Sequence, residues 1–494
     1  MRRRRPLIQV DRDADRELTL VEQLSRDAQR DWPGVTISLG MHLAALVLLA
    51  LIPRLLEQQR PIGVINLEWA SESPAKAPVK PPAPVQLTNP IRLTKTTPVA
   101  APTPVPLSPT QTQTTETAPS VQPVDAGSSL NNRMARGQGG SGNREGFNDD
   151  ARQAIDRGLK WLVKQQAADG HWSLDGPYAD GATRTRWSTD VGATALALLA
   201  LQGDGQTHTT GDFADNVGRG LQWLKSRQRP SGELYDGAEE GEEPSIYSHA
   251  MSVIVLCEAL AMTGDAQFRE PAIHGVKYLV AAQNPVRGGW GYRPLVESGE
   301  GDLSVSGWAL SALHTARMAG LEVDPQAYLL ASSFLDRCQE TPADAARYKY
   351  RPSYPPDREQ RVSMTASGLL ARQWLGWPRN LGPMQAGGAY LLSDDARPDW
   401  GNGHRNVYAW YYQAQVLHNL GGDRWRNWFA DLQELVVSQQ LQTGKESGSW
   451  HPNKPPGSVH EYSAIVGRLY ITVMSILILE TPFRHAPLYR ETEG

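Results

Sequence analysis

The sequence has few of the residues that mark a disulfide scaffold, a metal finger or a nucleic-acid surface. Only two cysteines occur in 494 residues, Cys257 and Cys338, and neither belongs to a CxxC pair. They fall in different predicted helices, so we expect no disulfide between them. The formal net charge is −4, and this lack of a basic excess argues against a nucleic-acid partner.

Large aromatic side chains are scarce outside residues 148–485, although the chain is long enough for two or three domains. We therefore predict one globular domain, over residues 149–485. Residues 71–148 are rich in Pro, Ala and Thr and then in Gly, Ser and Asn, which predicts a disordered linker. Residues 486–494 are expected to form a C-terminal tail.

Charged residues are absent between Pro33 and Pro53, a stretch close to the ~20 residues that span a bilayer. We predict a transmembrane helix over 33–53, followed by a short juxtamembrane segment, 54–70. Eight arginines lie in the preceding tail, 1–32, against four basic residues in the comparable stretch beyond. The positive-inside rule places the tail in the cytoplasm and the globular domain in the periplasm or another extracytoplasmic space.

Between Asp149 and Leu479 the sequence repeats, six times, a unit of about 45 to 60 residues. Each unit has an amphipathic helix ending in Gln, a turn rich in Gly and Trp, and a second helix rich in Ala, Leu and Val. The clearest copy reads RGLKWL over 157–162, then Gln166 and Gly170-His171-Trp172. The last copy closes on Gln439 and Gly448-Ser449-Trp450.

The second helices are apolar on most sides, and helices apolar all round must be buried. Their predicted bounds are Asp190–Leu201, Ser245–Met262, Asp302–Ala319, Val362–Leu375, Asn406–Leu420 and Arg468–Leu479. Amphipathic helices that alternate with fully buried ones build an inner barrel inside an outer ring. The predicted fold class is therefore all-α, an (α/α)6 toroid.

The string of Lys or Arg, Gly, an aromatic residue, Leu and Gln, followed by Gly-x-Trp, resembles the QW repeat of the terpenoid cyclase and protein prenyltransferase superfamily. The resemblance covers the C-terminal two thirds of the chain. The closing stretch, Tyr408 to Trp450, resembles a subgroup of membrane-anchored bacterial toroid proteins. The tryptophans of the repeats are expected to stack within them rather than contact substrate: Trp161, Trp172, Trp223, Trp290 and Trp450.

Within the predicted span, Ser38 and His42 are four residues apart and share a helix face. The charged tail, the helix with Ser-x-x-x-His and the Pro-rich extension resemble the anchor of TonB-type energy transducers. That resemblance implies a partner in the inner membrane, to which His42 would couple. The alternative is that His42 is neutral and bonded to Ser38 or packed on another helix.

Terpene cyclases of the protonating class resemble one another in an Asp-x-Asp-Asp segment at the start of an inner helix. The corresponding stretch here, 297–304, reads ESGEGDLS and leaves Asp302 as the only acid at the helix start. Asp302 is a candidate general acid if an apolar cavity keeps it protonated. The more ordinary interpretation is that Asp302 is the N-cap of the helix.

Other residues near the starts of the inner helices are candidates for the mouth of the barrel. Aromatic faces there could stabilise a carbocation or bind an apolar chain, and they could also be core residues that fill the toroid. The candidates are Asp190, Tyr247, His249, Trp308, Tyr408, Trp410, Tyr411 and Tyr470.

We predict no metal site and no cofactor. Asp336-Arg337-Cys338 matches the short string of the zinc prenyltransferases, with His404 and His418 downstream. Cys338, however, ends an outer helix, whereas the zinc pair belongs at the start of an inner one. Asp394, Asp395 and Asp399 lie in a predicted loop, where solvated acids are ordinary.

The sequence therefore favours a membrane-tethered, exported toroid that binds an extended ligand or an apolar one such as an isoprenoid, or that serves as a scaffold. A terpenoid cyclase-like enzyme with Asp302 as acid is the first alternative. A polysaccharide-active enzyme is the second, because six-hairpin toroids also occur among glycosidases and polysaccharide lyases, which often use carboxylate pairs.

Overall fold

The computed structural model describes residues 133–134, 147–176, 178, 188–235, 245–295, 297–341 and 344–489. The chain divides into two compact units, Met1–Ser108 and Pro109–Gly494, and every described residue lies in the second. The predicted cytoplasmic tail, transmembrane helix and juxtamembrane segment, with Ser38 and His42, lie outside the described residues.

Fourteen α-helices occur in the described part of the chain, and twelve of them alternate between an outer and an inner ring. The outer helices are α1 (Asp149–Lys164), α3 (Ala214–Ser226), α5 (Arg269–Ala281), α7 (Pro325–Cys338), α9 (Gly382–Leu391) and α11 (Gly422–Ser438). The inner helices are α2 (Asp190–Gly203), α4 (Ser245–Thr263), α6 (Leu303–Met318), α8 (Arg361–Trp374), α10 (Val407–Leu420) and α13 (Arg468–Leu479). Two short helices, α12 (Ser463–Val466) and α14 (Thr481–Arg484), flank the last inner helix.

The inner helices form a closed barrel. Each contacts the next in chain order, and α13 packs against α2 to complete the ring. Their side chains are buried on almost every side, as in α2, where every residue from Val191 to Gly203 is buried. The predicted (α/α)6 toroid is confirmed, and the inner helices run parallel because each follows an outer helix that returns the chain.

The outer helices bury one stripe only. In α1 that stripe includes Ile155, Leu159 and Leu162, three to four residues apart, while the opposite face carries charges. Asn148 caps the first free N–H groups of α1 through its side chain, which accepts from Ala151 N at 2.8 Å. The amphipathic pattern thus decides which face of each outer helix packs on the barrel.

Hydrogen bonds from the turn after an outer helix join one repeat to the next. The amide nitrogen of Gln166 donates to the carbonyls of Gly170, at 2.8 Å, and of Asn216 in the following outer helix, at 2.9 Å. The indole of Trp172 donates to the carbonyl of Leu162 at 2.8 Å, and so satisfies the end of α1. Gly170 has φ +106, and a Cβ there would lie 2.7 Å from the carbonyl oxygen of Arg219, so the turn requires glycine.

The same pair of glutamine hydrogen bonds closes the ring. Gln440 donates to the carbonyl of Gly448 at 2.8 Å and to that of Ala154, in the first outer helix, at 2.7 Å. The sequence pattern had assigned this role to Gln439, which the structure shows to be exposed. The assignment to Gln439 was wrong by one residue, because Gln440, not Gln439, faces the first repeat.

The fourth repeat replaces the Gly/Trp turn with a hairpin. Strands β1 (Gln339–Thr341) and β2 (Asp344–Tyr348) pair antiparallel. Tyr348 takes the place of the repeat tryptophan: it is fully buried, and its backbone N–H donates to Thr365 Oγ1 at 3.2 Å, as Trp172 N does to Thr194 Oγ1. This substitution explains why the repeat looks degenerate in sequence.

Both ends of the predicted domain extend slightly further than its bounds. Phe147, within the predicted linker, packs edge-on against Phe483, with ring centroids 5.3 Å apart. At the other end, the hydroxyl of Tyr489 donates to the carbonyl of Trp377 at 2.6 Å. One described helix, α4, is long and apolar enough to cross a membrane. It is buried in the inner barrel, and that burial accounts for its apolar composition.

Candidate functional site: a tyrosine-lined cavity

A cavity of about 310 Å³ opens at the end of the barrel where the inner helices begin. Thr189, Ser245, Ser304, Ser363 and Tyr470, each within a few residues of an inner-helix start, all line it. The wall is strongly aromatic, with Trp308 and seven tyrosines: Tyr235, Tyr247, Tyr292, Tyr350, Tyr408, Tyr462 and Tyr470. No Asp or Glu occurs among the described lining residues.

Several of the tyrosine hydroxyls are bonded within the protein. Tyr247 donates to Ser304 Oγ at 2.5 Å, and Tyr408 donates to the carbonyl of Ser304 at 3.3 Å. The hydroxyls of Tyr350 and Tyr292 lie 3.3 Å apart. Because these polar ends are held by the wall, the rings are fixed in orientation.

Trp308 contributes to the cavity wall from α6. Its ring stacks on Tyr411 from α10, with centroids 5.5 Å apart and planes 12° apart. Met251 and Met364 add polarizable, adaptable surface beside it. This part of the wall is largely apolar.

A buried ion pair supports the loop that brings His460 and Tyr462 to the cavity. Arg405 is fully buried and donates to the carbonyls of Pro452, at 2.6 Å, and Pro455, at 2.8 Å. Its guanidinium also lies 3.2 Å from Glu461 Oε2. The loop over residues 451–462 is therefore fixed to the barrel by charge-assisted hydrogen bonds.

Asp302 lies immediately behind the wall and is 0% exposed. It is the N-cap of α6: Oδ1 accepts from Val305 N at 2.9 Å and from Ser304 Oγ at 2.7 Å. Oδ2 lies 3.8 Å from Arg351 Nη2. Burial raises the pKa of Asp302 to about 6, although the cap bonds and Arg351 act in the opposite direction. Tyr247, Ser304 and Asp302 thus form a hydrogen-bonded row from the cavity to a carboxyl group.

The structure divides the eight candidate mouth residues into two sets. Tyr247, Trp308, Tyr408 and Tyr470 line the cavity. The other four do not appear in its wall. Asp190 is partly exposed and lies 3.8 Å from the His171 ring, while Trp410 packs on Trp400 and Tyr411 lies behind Trp308.

His249 faces the outer ring rather than the cavity. Its Nδ1 accepts from Leu234 N at 3.0 Å, and its Nε2 donates to the carbonyl of Gly275 at 2.9 Å. Thr194 and Ser306 occupy the matching position in α2 and α6, where each accepts from the backbone of a turn tryptophan. Burial lowers the pKa of His249 to about 4, so the ring is neutral at pH 7. Its two hydrogen bonds join the turn of one repeat to the next outer helix.

Sequence reasoning missed the lining residues that come from loops. Tyr292 follows the turn Gly289-Trp290-Gly291, Tyr350 follows β2, and Tyr462 precedes α12. Each lies between the end of an outer helix and the start of an inner one, on the same side of the ring. An aromatic residue just after a repeat turn was the available signal.

Residues 143–243 match the family of squalene–hopene cyclase C-terminal domains. A curated squalene–hopene cyclase from Bradyrhizobium diazoefficiens is 29% identical over 203 residues, which cover 37% of this chain and 28% of the cyclase. The folded domain is a terpenoid cyclase-like α/α-toroid. Since the match spans less than a third of that relative, it does not carry the relative's activity to this chain.

The chain also resembles solved structures of proteins with different functions. The α-1,6-mannanase GH76A from Salegentibacter sp. HEL1_6 is 12% identical, with a TM-score of 0.48 over 68% of this chain and 99% of that one. The type II terpene cyclase MstE from Scytonema is 16% identical, with a TM-score of 0.44 over 68% and 99%. Both TM-scores are below 0.5, so neither likeness bears on what this chain does.

Among the described residues, the Asp336-Arg337-Cys338 string is not arranged as a metal site. Within the described ranges, no group of three or more His, Cys, Asp or Glu side chains is arranged to hold a metal ion. Cys338 is a buried thiol whose pKa burial raises, and Asp336 pairs with Arg372 instead. His418 packs against Trp425 near the far end of α10, with ring centroids 5.1 Å apart.

Proposed function

We propose that this chain is an exported, membrane-tethered binding module whose toroid holds an apolar or extended ligand in the tyrosine-lined cavity. The observation that carries the proposal is the composition of the cavity wall. It combines Trp308, Met251 and Leu196 with tyrosine rings, and its described residues include no acid. Such a wall offers apolar area and a few fixed hydroxyls, which is the usual make-up of a ligand pocket.

The size of the cavity suits a small ligand or one segment of a longer chain. Its 310 Å³ is near the lower end of the range for ligand sites, roughly 300–1,000 Å³. The matched cyclase, which its name links to squalene, supports an isoprenoid or similar hydrocarbon as the first class to test.

Reactive groups are sparse in the wall. The described lining residues contribute hydroxyls, two guanidiniums (Arg229 and Arg293), an amide (Gln360) and one imidazole (His460). The carboxylate pair of a glycosidase would have to come from residues that the structure does not describe in the wall. Binding therefore accounts for the site with fewer requirements than catalysis does.

The first experiment is native mass spectrometry with lipid extraction on the full chain, purified in mild detergent from membranes of its own host. We expect a co-purifying apolar molecule. The test variant is Trp308→Leu, which removes an aromatic face from the cavity. Its matched control is Trp410→Leu, since Trp410 lies in another inner helix, is equally buried at 3% exposure, and packs on Trp400 outside the cavity.

Loss of the bound molecule in Trp308→Leu, with retention in Trp410→Leu, would support the cavity as its site. Equal loss in both variants would trace the effect to general damage of the barrel. A chain that carries no ligand under gentle conditions would overturn the proposal.

An enzyme is the second candidate, and one observation favours it. Asp302 has a pKa of about 6 and is linked to the cavity by Ser304 and Tyr247, so below about pH 6 a protonated carboxyl lies close to a ligand. An acid that protonates a carbon–carbon double bond must touch it, and Asp302 lies behind the wall in this conformation. Asp302→Asn should leave ligand affinity nearly intact if the toroid only binds, and should abolish turnover without unfolding if it catalyses.

A further inference from the structure

The direction of the hydrogen bonds at Ser304 decides what this part of the cavity wall offers to a ligand. The Ser304 hydroxyl donates to Asp302 Oδ1 at 2.7 Å. That bond uses the single proton of the hydroxyl, so Ser304 Oγ can act towards the next group only as an acceptor. Tyr247 therefore donates to Ser304, with the two oxygens 2.5 Å apart.

Asp302 fixes this direction. Its Oδ1 also accepts from Val305 N at 2.9 Å, so the start of α6 holds the carboxyl group in place. Burial raises the pKa of Asp302 to about 6, and above that pH the carboxylate has no proton to give. The ionised group can then only accept from Ser304, and the order of donors and acceptors is set by the fold.

Tyr247 lines the cavity with an oxygen that has lone pairs but no uncommitted proton. Burial raises the pKa of Tyr247 well above its usual value, so the phenol stays protonated, and Ser304 receives that proton. Among the described residues, no N–H or O–H group donates to Tyr247 Oη. Its lone pairs are therefore left for a ligand.

Tyr408 adds a second acceptor near the same point of the wall. Its hydroxyl donates to the carbonyl of Ser304 at 3.3 Å, so its proton is also committed within the protein. After burial, the neighbouring Tyr408 phenol is the next cause that raises the pKa of Tyr247, which indicates that the two hydroxyls are close together. Two phenol oxygens therefore offer lone pairs to the same part of the cavity.

A pair of acceptors selects a ligand that brings a proton. The oxygen of an ether, ketone or ester would face lone pairs and lose its hydrogen bond to water, and a carboxylate would add charge to that loss. An ammonium group would find no Asp or Glu in the described lining, and Asp302 behind the wall already lies 3.8 Å from Arg351. A neutral hydroxyl fits this point of the wall.

We propose that the cavity binds an apolar alcohol, whose hydroxyl donates to Tyr247 and whose hydrocarbon part lies against Trp308. Trp308 follows Ser304 by four residues in α6, about one turn deeper in the barrel. Ser304 and Asp302 are positioning residues, since they act on the ligand through Tyr247. The inference rests on the proposed function and adds the group by which the ligand is recognised.

Two isomers of the same composition test this proposal: decanol, which carries a hydroxyl proton, and nonyl methyl ether, which carries none. Isothermal titration calorimetry on the full chain in mild detergent measures both affinities, with detergent alone as the blank. The titrations are run at pH 8, where Asp302 is ionised. We expect the wild type to bind the alcohol about fivefold more tightly, the usual worth of one hydrogen bond.

Two variants assign the preference to the hydrogen bonds. Tyr247→Phe removes the acceptor and should bring the two affinities within about twofold, by weakening the alcohol alone. Ser304→Ala releases the Tyr247 proton, which can then donate into the cavity, so the ether should bind about threefold more tightly than in the wild type.

Tyr328→Phe is the matched control. Tyr328 is also buried, and its hydroxyl donates to the carbonyl of Leu313 at 3.1 Å, but it lies on α7 outside the cavity wall. This variant should keep the preference of the wild type for the alcohol. Lost packing weakens both isomers alike, whereas a lost acceptor changes their ratio.

Equal affinity for the two isomers in the wild type, or binding of neither, would overturn the proposal. An unchanged ratio in Tyr247→Phe would do so by placing the hydroxyl elsewhere, and a ratio lost equally in Tyr328→Phe would assign the effect to general damage. Acetylation of the molecule extracted with the full chain shows whether it has a hydroxyl. A co-purifying apolar molecule without one would uphold the proposed function and overturn this inference, so the two fail separately.

Discussion

Asp302 shows how one side chain can serve the fold and still be available for chemistry. Its Oδ1 caps α6 through Val305, and the same oxygen accepts from Ser304, whose hydroxyl is the acceptor for Tyr247 in the cavity wall. The sequence left open whether this residue is a cap or an acid. The structure confirms the cap, and the raised pKa keeps the acid available for test.

The pKa of Asp302 predicts a specific pH dependence of stability. An aspartate in an unfolded chain has a pKa of about 3.9, so a value of about 6 means that the folded state holds the proton more tightly. The contribution of protonated Asp302 to the stability of the folded state is complete below about pH 4. It is lost as the pH rises through about 6. Over that interval Asp302 should lower the free energy of unfolding by about 3 kcal/mol.

Asp302→Asn should remove this slope, because the amide oxygen can still accept from Val305 and Ser304 but cannot ionise. We expect the variant to match or exceed the wild-type unfolding midpoint in urea above pH 7. The difference between the two midpoints, measured from pH 4 to pH 8, isolates the residue. Asp324→Asn, which changes a cap on the exposed start of α7, is the control. A wild-type slope in Asp302→Asn would contradict the raised pKa.

At the scale of elements, each repeat is defined by its hydrogen bonds to the next repeat as much as by its pair of helices. Gln166, Gln228, Gln283 and Gln440 each donate to the glycine carbonyl of their own turn and to a carbonyl in the next outer helix. The sequence motif indicated that Gln and Trp belong to the turn of their own repeat. It did not reveal that the second bond of Gln crosses to a neighbouring repeat, since that partner is 43 to 50 residues away for the first three glutamines and 286 residues away for Gln440.

Gln440 and Gln439 offer a direct test of the pair of glutamine hydrogen bonds that closes the ring. Gln440→Leu removes both donors from buried carbonyls of Ala154 and Gly448, and should destabilise the protein by roughly 1–3 kcal/mol. Gln439→Leu changes an exposed neighbour and should cost less than about 0.5 kcal/mol. The denaturant midpoints of the two variants, measured under the same conditions, compare their stabilities. If they shift equally, the closing bond is not what holds the first and last repeats together.

Across the whole molecule, the parallel inner helices give the two ends of the barrel different character. Their N-termini surround a cavity with an aromatic wall, and their C-termini surround the buried cluster of Arg133, Arg484, Glu258 and Glu480. The helix dipole favours cations at the second end. The outer helices, in contrast, mostly present charge to solvent and contribute no side chain to the cavity wall among the described residues.

The predicted anchor remains to be tested on the full chain. Residues 33–53 should hold the protein in the membrane, so it should sediment with membranes and resist extraction with alkaline carbonate. Protease added to spheroplasts should digest the toroid, because the arginine-rich tail is expected to stay inside. A variant lacking 33–53 should become soluble. Carbonate extraction of the intact chain, or a toroid protected in spheroplasts, would contradict the predicted topology.

The Ser38 and His42 pair belongs to the same scale, since its role depends on a partner in the membrane. His42→Ala should impair function while expression and membrane insertion stay unchanged, if the resemblance to energy transducers extends to coupling. The measurement pairs an activity or ligand assay with membrane fractionation. A fully active variant would leave Ser38 and His42 as ordinary residues of an anchor.

The sequence by itself determined the six-fold repeat, the alternation of half-buried and buried helices, and hence the toroid, because these depend on local periodicity and on the pattern of each turn. Only the tertiary structure decided which inner-helix residues face the cavity. Tyr247 and His249 are two residues apart, about 200° around the helix, and point to opposite sides of the ring. A helix that is apolar all round has no amphipathic pattern to tell the barrel axis from the outer ring, and the pairing of Arg133 with Glu258 joins residues 125 positions apart.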